Sequence, residues 1–208
     1  MIDLELMIQP SSGKSERRDA AENRLLILAT ASRLFAKHGV ESVCMSEIAK
    51  EAGVGKGTLY RRFSSKGELC LALLDTELRQ FQDQVIQSFQ DQVQNGISAC
   101  KRLNWFIEQA VIFTCKHLAL MVEISEAGSE NAVQDINQPH FWMEMTVRGH
   151  LLQMQESGKI SADTDIDYIA SAILAPLDAR ILKIHINQRQ YSQDQISFGI
   201  QTLINGLC

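Results

Sequence analysis

Apolar residues recur every three or four positions along almost the whole chain, and no stretch alternates with period two over a useful length, which predicts an all-α fold. The clearest stripes are Leu25, Leu28, Ala31 and Phe35; Leu74, Leu78, Phe81, Val85 and Phe89; Ile166, Ile169, Ile173, Leu177, Ile181 and Ile184; and Ile196, Ile200, Leu203 and Leu207. Glycines and short polar runs cut the pattern into about nine predicted helices: 21–38, 45–52, 56–63, 65–94, 97–118, a shorter one through 126, then 139–157, 165–186 and 192–207, with a loop at 128–138. At 1.5 Å per residue the fourth would be roughly 45 Å long, enough to leave one domain and brace the next. Ser65-Lys66-Gly67-Glu68 and Ser192-Gln193-Asp194-Gln195 have the form of capping boxes, and Pro176 predicts a bend within the eighth helix.

The 208 residues, 45% hydrophobic, suffice for a substantial core. No uncharged apolar run approaches about 18 residues, so no membrane span is expected. The opening 1–8 carries Asp3 and Glu5 and lacks the basic start of a secretory signal, so a cytoplasmic protein is expected. Five cysteines without a Cys-x-x-Cys pair argue against a disulfide framework and against a metal site, and are expected to be buried free thiols. Catalysis is disfavoured, because His117 and Cys115 are two apart and would not face one another on a helix, and no phosphate loop, H-E-x-x-H or G-x-S-x-G pattern occurs. No cofactor is implied.

The net charge of −5 divides unevenly: 12–79 carries +3, 80–208 carries −6 and the first eleven residues carry −2. Basic charge at the front of an acidic chain points to a polyanion partner there. In that segment two short helices flank Gly53-Val54-Gly55, the pattern of a helix-turn-helix whose second helix enters a major groove of double-stranded DNA. Leu59 and Phe63, four apart, would face the local core with Ile48 and Leu34. Lys56, Thr58, Tyr60, Arg61 and Arg62 are left outside as donors for phosphates and base edges, and Gly57 would let the helix backbone approach closely. Arg17 and Arg18 of the predicted N-terminal arm are a weaker candidate for minor-groove contact, flanked as they are by Glu16 and Asp19.

Phe35-Ala36-Lys37-His38-Gly39, Ile48-Ala49-Lys50-Glu51-Ala52-Gly53-Val54 and the run from Lys56 to Leu69 resemble, in order and without gaps, the DNA-binding domain of the TetR/AcrR family over residues 24–74. The resemblance implies a homodimeric regulator, usually a repressor, that binds a pseudo-palindromic operator and is released by a small apolar or amphipathic effector. It also implies nine helices, the first three for DNA and the last two for dimerisation. By position Lys56, Gly57, Thr58, Tyr60, Arg61 and Arg62 inherit groove and phosphate roles, and Lys66 a phosphate contact. Three positions depart from the family pattern: Cys44 stands where a Thr or Ser caps the second helix, Gly55 where a Ser often opens the recognition helix, and Arg62 where a His often contacts phosphate. Ser46 is the substitute hydroxyl donor at that edge. Cys44 supports an alternative, a thiol-based redox sensor on the same scaffold, because a helix N-terminus lowers a thiol pKa.

The expected division is an arm at 1–20, a helix-turn-helix domain at 21–65 and an effector-binding and dimerisation domain at 66–208. Within the last, Trp105, Phe106, Phe113, Met121, Phe141, Trp142, Met145 and Arg148 are candidate pocket residues, since helical bundles build ligand sites from facing aromatic and sulfur side chains. His117, His150 and Glu144 are further polar groups that could orient a ligand. Ile173, Leu174, Leu177, Ile200, Leu203, Ile204 and Leu207 are the candidate homodimer contacts.

Overall fold

The computed structural model describes residues 12–127 and 139–207; the first eleven residues and the loop expected at 128–138 lie outside the described residues. Among these there is no strand, and ten α-helices follow one another: α1 (Ser12–His38), α2 (Met45–Glu51), α3 (Lys56–Arg62), α4 (Lys66–Gln94), α5 (Ala99–Lys116), α6 (Leu118–Ala127), α7 (Pro139–Glu156), α8 (Ile166–Leu174), α9 (Ala179–Asn187) and α10 (Gln193–Asn205). Helix α1 opens well before the expected position 21. The residues 14–21 include Lys, Glu, Arg and Ala, which lose little in a helix, and contain no β-branched residue. It stops at Gly39, whose φ of +81° suits a residue without a Cβ.

The expected eighth helix is two. A single 3-10 turn, Ala175–Leu177, separates α8 from α9, because Pro176 has no N–H to donate and its ring crowds the preceding turn. Asp178 then starts α9 afresh, its carboxylate accepting from the N–H groups of Arg180 and Ile181. Pro176 therefore produces a break rather than a bend, and nine expected helices become ten.

Both expected caps form, one with a shift. Ser192 and Gln195 make the complete reciprocal box at the start of α10. At the start of α4 the Glu68 N–H donates to Ser65 Oγ at 3.1 Å, but the Glu68 carboxylate reaches one residue further back, accepting from the Ser64 N–H at 2.6 Å and the Ser64 hydroxyl at 2.8 Å.

The chain forms two compact units that meet at Leu69 and Cys70. In the first, Ile27, Ala31, Leu34, Val43, Ile48, Ala49, Leu59 and Phe63 make a small core. In the second, α5 is the central element. It packs against α7 and α10 and buries Leu103, Phe106, Ile107, Ala110 and Val111 almost completely. It ends at His117, where α6 turns away by 76°. No single helix among the described residues is long and apolar enough to cross a membrane.

The expectation of buried free thiols holds in part. Cys70 is buried, Cys115 half-buried and Cys44 exposed, none of the three in a disulfide, whereas Cys100 is disulfide-bonded. The expectation against disulfides is thus corrected at Cys100, a bond that the spacing of cysteines along the chain does not reveal.

Candidate functional site

Helix α3 has seven residues, three of them cationic and none anionic. Leu59 and Phe63, at 0% and 2% exposure, anchor its inner side, and the Arg24 guanidinium lies 5.4 Å from the centre of the Phe63 ring, a cation–π contact that secures the end of α3 against α1. Gly57, Tyr60 and Arg61, spaced i, i+3 and i+4, share the outward face; they and Lys56 are exposed, while Thr58 and Arg62 are half-buried. The Arg62 Nε is covered yet has no hydrogen-bond acceptor. Ser46 lies half-buried in the first turn of α2, and Lys66, half-buried, opens α4. The structure thus brings the predicted DNA-contacting residues together on α3 and the helix starts beside it. Cys44 occupies the N-cap of α2 without accepting a hydrogen bond there, and nothing in its surroundings favours the thiol-sensing alternative.

A Cβ built on Gly57 meets nothing within 4 Å. Alanine at this helical position should therefore leave folding intact or strengthen it by about 0.4–1 kcal/mol. If the bare backbone is there for close approach to DNA, Gly57→Ala will weaken operator binding on the order of tenfold. Thermal melts and DNA titrations on the same protein check both halves, and undiminished affinity would reassign Gly57 to helix geometry alone.

In the second unit the aromatic side chains of α4, α5 and α7 form one connected cluster. Phe81 stacks on Phe113 with centroids 4.5 Å apart and meets Trp142 edge-on at 5.8 Å. Phe106 also meets Trp142, at 5.7 Å, and Phe89 touches Trp105, Phe106 and the His150 ring, the last at 4.6 Å. Beside it a groove of about 270 Å³ opens between α4 and α5, lined by Phe81, Gln84, Val85, Ser88, Trp105 and Gln109. Of the expected pocket residues, Trp105, Phe106, Phe113 and Trp142 belong to this cluster, and Met121 packs half-buried on the same core. Phe141 is half-buried. Met145 is instead 46% exposed, and Arg148 is committed to Asp167 of α8. Residues 145 and 148 point away from the rings because α7 turns that side toward solvent and α8. Phe81 lines the groove and Phe89 joins the rings beside it, both visible in the sequence only as members of the α4 stripe; His150, a candidate polar group, meets Phe89.

The same two-unit chain matches known proteins. A family model described as bacterial regulatory proteins, tetR family, matches residues 27–73. An HTH-type transcriptional regulator of Staphylococcus aureus is 30% identical over 176 residues, covering 85% of this chain and 89% of that relative. The chain belongs to the tetR family. A second S. aureus HTH-type regulator is 48% identical over 65 residues, but the match spans only 31% of this chain and 35% of that relative. The transcriptional regulator FadR from Bacillus subtilis, solved in complex with stearoyl-CoA, superposes with a TM-score of 0.63 at 22% identity over 86% of this chain and 96% of that one, a likeness of fold. As a tetR-family member the chain is a DNA-binding transcription regulator, with its helix-turn-helix in α2 and α3.

The residues expected to meet a second copy need correction. Ile173, Leu174, Leu177, Ile200 and Ile204 are each at most 8% exposed within the single chain, and Leu207 is half-buried against the same core. Because α10 packs on both α5 and α8, the tetR-family chain uses both sides of that stripe internally. Leu203, at 60% exposure, remains outside, joined by Phe198 at 71% and by the exposed Ile181 and Ile184 of α9.

Two histidines of this unit, His117 and His150, are buried, and the Nε2 of His117 has no hydrogen-bond partner. Burial holds the His150 imidazole below its ordinary value of 6.5, helped by the nearby Arg102 charge, while the Nδ1 contact to the Thr146 carbonyl at 2.9 Å pulls the other way. Burial likewise depresses His117, with Lys116 adding to it and Glu77 opposing. Glu77 is itself lowered, chiefly by the Lys116 ammonium donating to it at 2.9 Å. A histidine whose folded pKa is depressed takes up its proton more readily when unfolded, so stability is lost as pH falls below about 6.5. The melting temperature should drop between about pH 7 and pH 5, and His150→Asn should flatten that drop; an unchanged slope in the variant would show that His150 is not a source of it.

Proposed function

We propose that the chain is a ligand-released repressor that binds a pseudo-palindromic operator as a homodimer. The observation that carries this is the outward face of α3, where Lys56, Tyr60 and Arg61 surround a glycine with open space above it. Lys56 and Arg61 are assigned base-edge contacts, since an arginine pairs bidentately with guanine in the major groove. Tyr60, Thr58, Arg62, Ser46 and Lys66 are assigned the phosphate backbone.

The effector is a small apolar or amphipathic molecule held against the aromatic cluster and the α4–α5 groove. Support comes from the lining itself, two rings and a valine beside two amides and a hydroxyl, and from the fold likeness to a regulator solved with stearoyl-CoA. Two copies each present one α3, and half-sites about 34–36 Å apart would place both on one face of DNA. An effector with higher affinity for a conformation in which the two α3 helices are mis-spaced would release the operator; equal affinity for both states would not.

The test is selection of bound fragments from genomic DNA, followed by titration of the recovered site. An inverted repeat with half-sites one helical turn apart is expected, and Arg61→Ala should relax preference at one position in each half by about 1–3 kcal/mol. Recovery of a single unrepeated half-site would count against the homodimeric reading, and uniform weakening across site variants would move Arg61 to the phosphate contacts.

A further inference from the structure

Arg102 is an unusual residue for the interior of this fold. It sits in the first turn of α5, 8% exposed, and two of its N–H groups donate to neutral acceptors, the Ile97 carbonyl and the Gln153 side-chain oxygen. No carboxylate among the described residues pairs with it, and its Nε is buried without an acceptor. A guanidinium carries five N–H donors and stays charged at every physiological pH. Burying such a charge without an anion is strongly unfavourable.

The neighbourhood is electropositive or apolar. His150 of α7 is close enough for the Arg102 charge to oppose its protonation. The His150 ring rests on Phe89, which in turn meets Trp105. Along α5, Arg102, Trp105 and Gln109 are spaced i, i+3 and i+7 and share a face, and the last two line the α4–α5 groove. Arg102 therefore lies one turn beyond the groove, on the same helix face, as a cation with an unspent donor behind a wall of rings.

We infer that Arg102 is the headgroup site for an acidic amphipathic effector, its guanidinium holding the carboxylate while the apolar body lies along the α4–α5 groove against Trp105 and Phe81. Charge-assisted bonds to a carboxylate would satisfy the orphaned Nε and supply the missing countercharge. Such a site presupposes the effector reading above and narrows it to one chemical class.

The experiment follows intrinsic fluorescence of the full chain, whose two tryptophans, Trp105 and Trp142, both lie in the aromatic cluster. Decanoate and decan-1-ol are titrated at neutral pH into the wild type, Arg102→Gln and Arg102→Lys, with operator release measured in parallel. Decanoate should bind the wild type at least about tenfold more tightly than the alcohol. Arg102→Gln should abolish that difference while leaving the alcohol's affinity within about twofold, and Arg102→Lys should retain part of the preference. If Arg102→Gln does not fold, the wild-type comparison and the lysine variant decide. Equal affinity for acid and alcohol, no binding of the acid, or a preference that survives Arg102→Gln overturns the site. Arg102-dependent binding that leaves the operator bound upholds the site and defeats ligand release; release by uncharged compounds alone does the reverse.

Discussion

A chain carrying Phe198→Glu together with Leu203→Glu is expected to sediment as a monomer, keep its helical signal, and lose operator affinity by on the order of 10²-fold or more. Both side chains are already largely exposed, at 71% and 60%, so the substitutions cost the single chain little. They flank a strip formed by Gly199 and Thr202 of α10 and Gly206 just past its end, all exposed, whose small side-chain bulk permits close approach of another helix. Four carboxylates brought together across a two-fold axis in that space would lack partners and repel one another. On the proposed homodimeric binding, two linked recognition helices engage the operator together, so loss of the pair removes the gain from simultaneous engagement. Sedimentation and DNA titration check the two consequences separately. A double variant that stays dimeric with full operator affinity would place the interface elsewhere.

Replacing Phe63 with alanine is expected to abolish operator binding through the fold of the first unit. Phe63 closes α3 at 2% exposure beneath the Arg24 guanidinium, and truncating a buried phenylalanine costs about 3–5 kcal/mol. A small core has little stability in reserve. Both tryptophans belong to the other unit, so their fluorescence should persist while DNA binding disappears. Retained operator affinity in Phe63→Ala would mean that α3 is held by contacts other than this ring.

The first unit was the more legible part of the chain because its signals are local. The glycine turn, the Leu59–Phe63 pair and the S-x-x-E start of α4 each act within a few residues, and each appears in place. The second unit depends on which element lies across from which, and periodicity does not carry that information. Ile200 and Ile204 form as regular a stripe as any interface would show, yet α5 and α8 consume it; Phe198, outside the stripe, was passed over for that reason. Arg148 looked like a pocket cation until Asp167, nineteen residues away, claimed it. Arg102 escaped notice for the converse reason, since an arginine between Lys101 and Leu103 reads as solvated, and only the approach of Gln153 from α7 reveals it as buried.

The narrow attachment of α3 affects how such a regulator changes over generations. Leu59 and Phe63 fix the helix, whereas Lys56, Gly57, Tyr60 and Arg61 touch solvent. Substitutions at those four positions can alter which DNA is preferred with little risk of dropping the protein below its folding threshold. A duplicated copy could thus drift toward a new set of target genes one residue at a time, each intermediate remaining folded and selectable. The buried positions of the same short helix offer no comparable freedom, so divergence in targets should outpace divergence in the core that displays them.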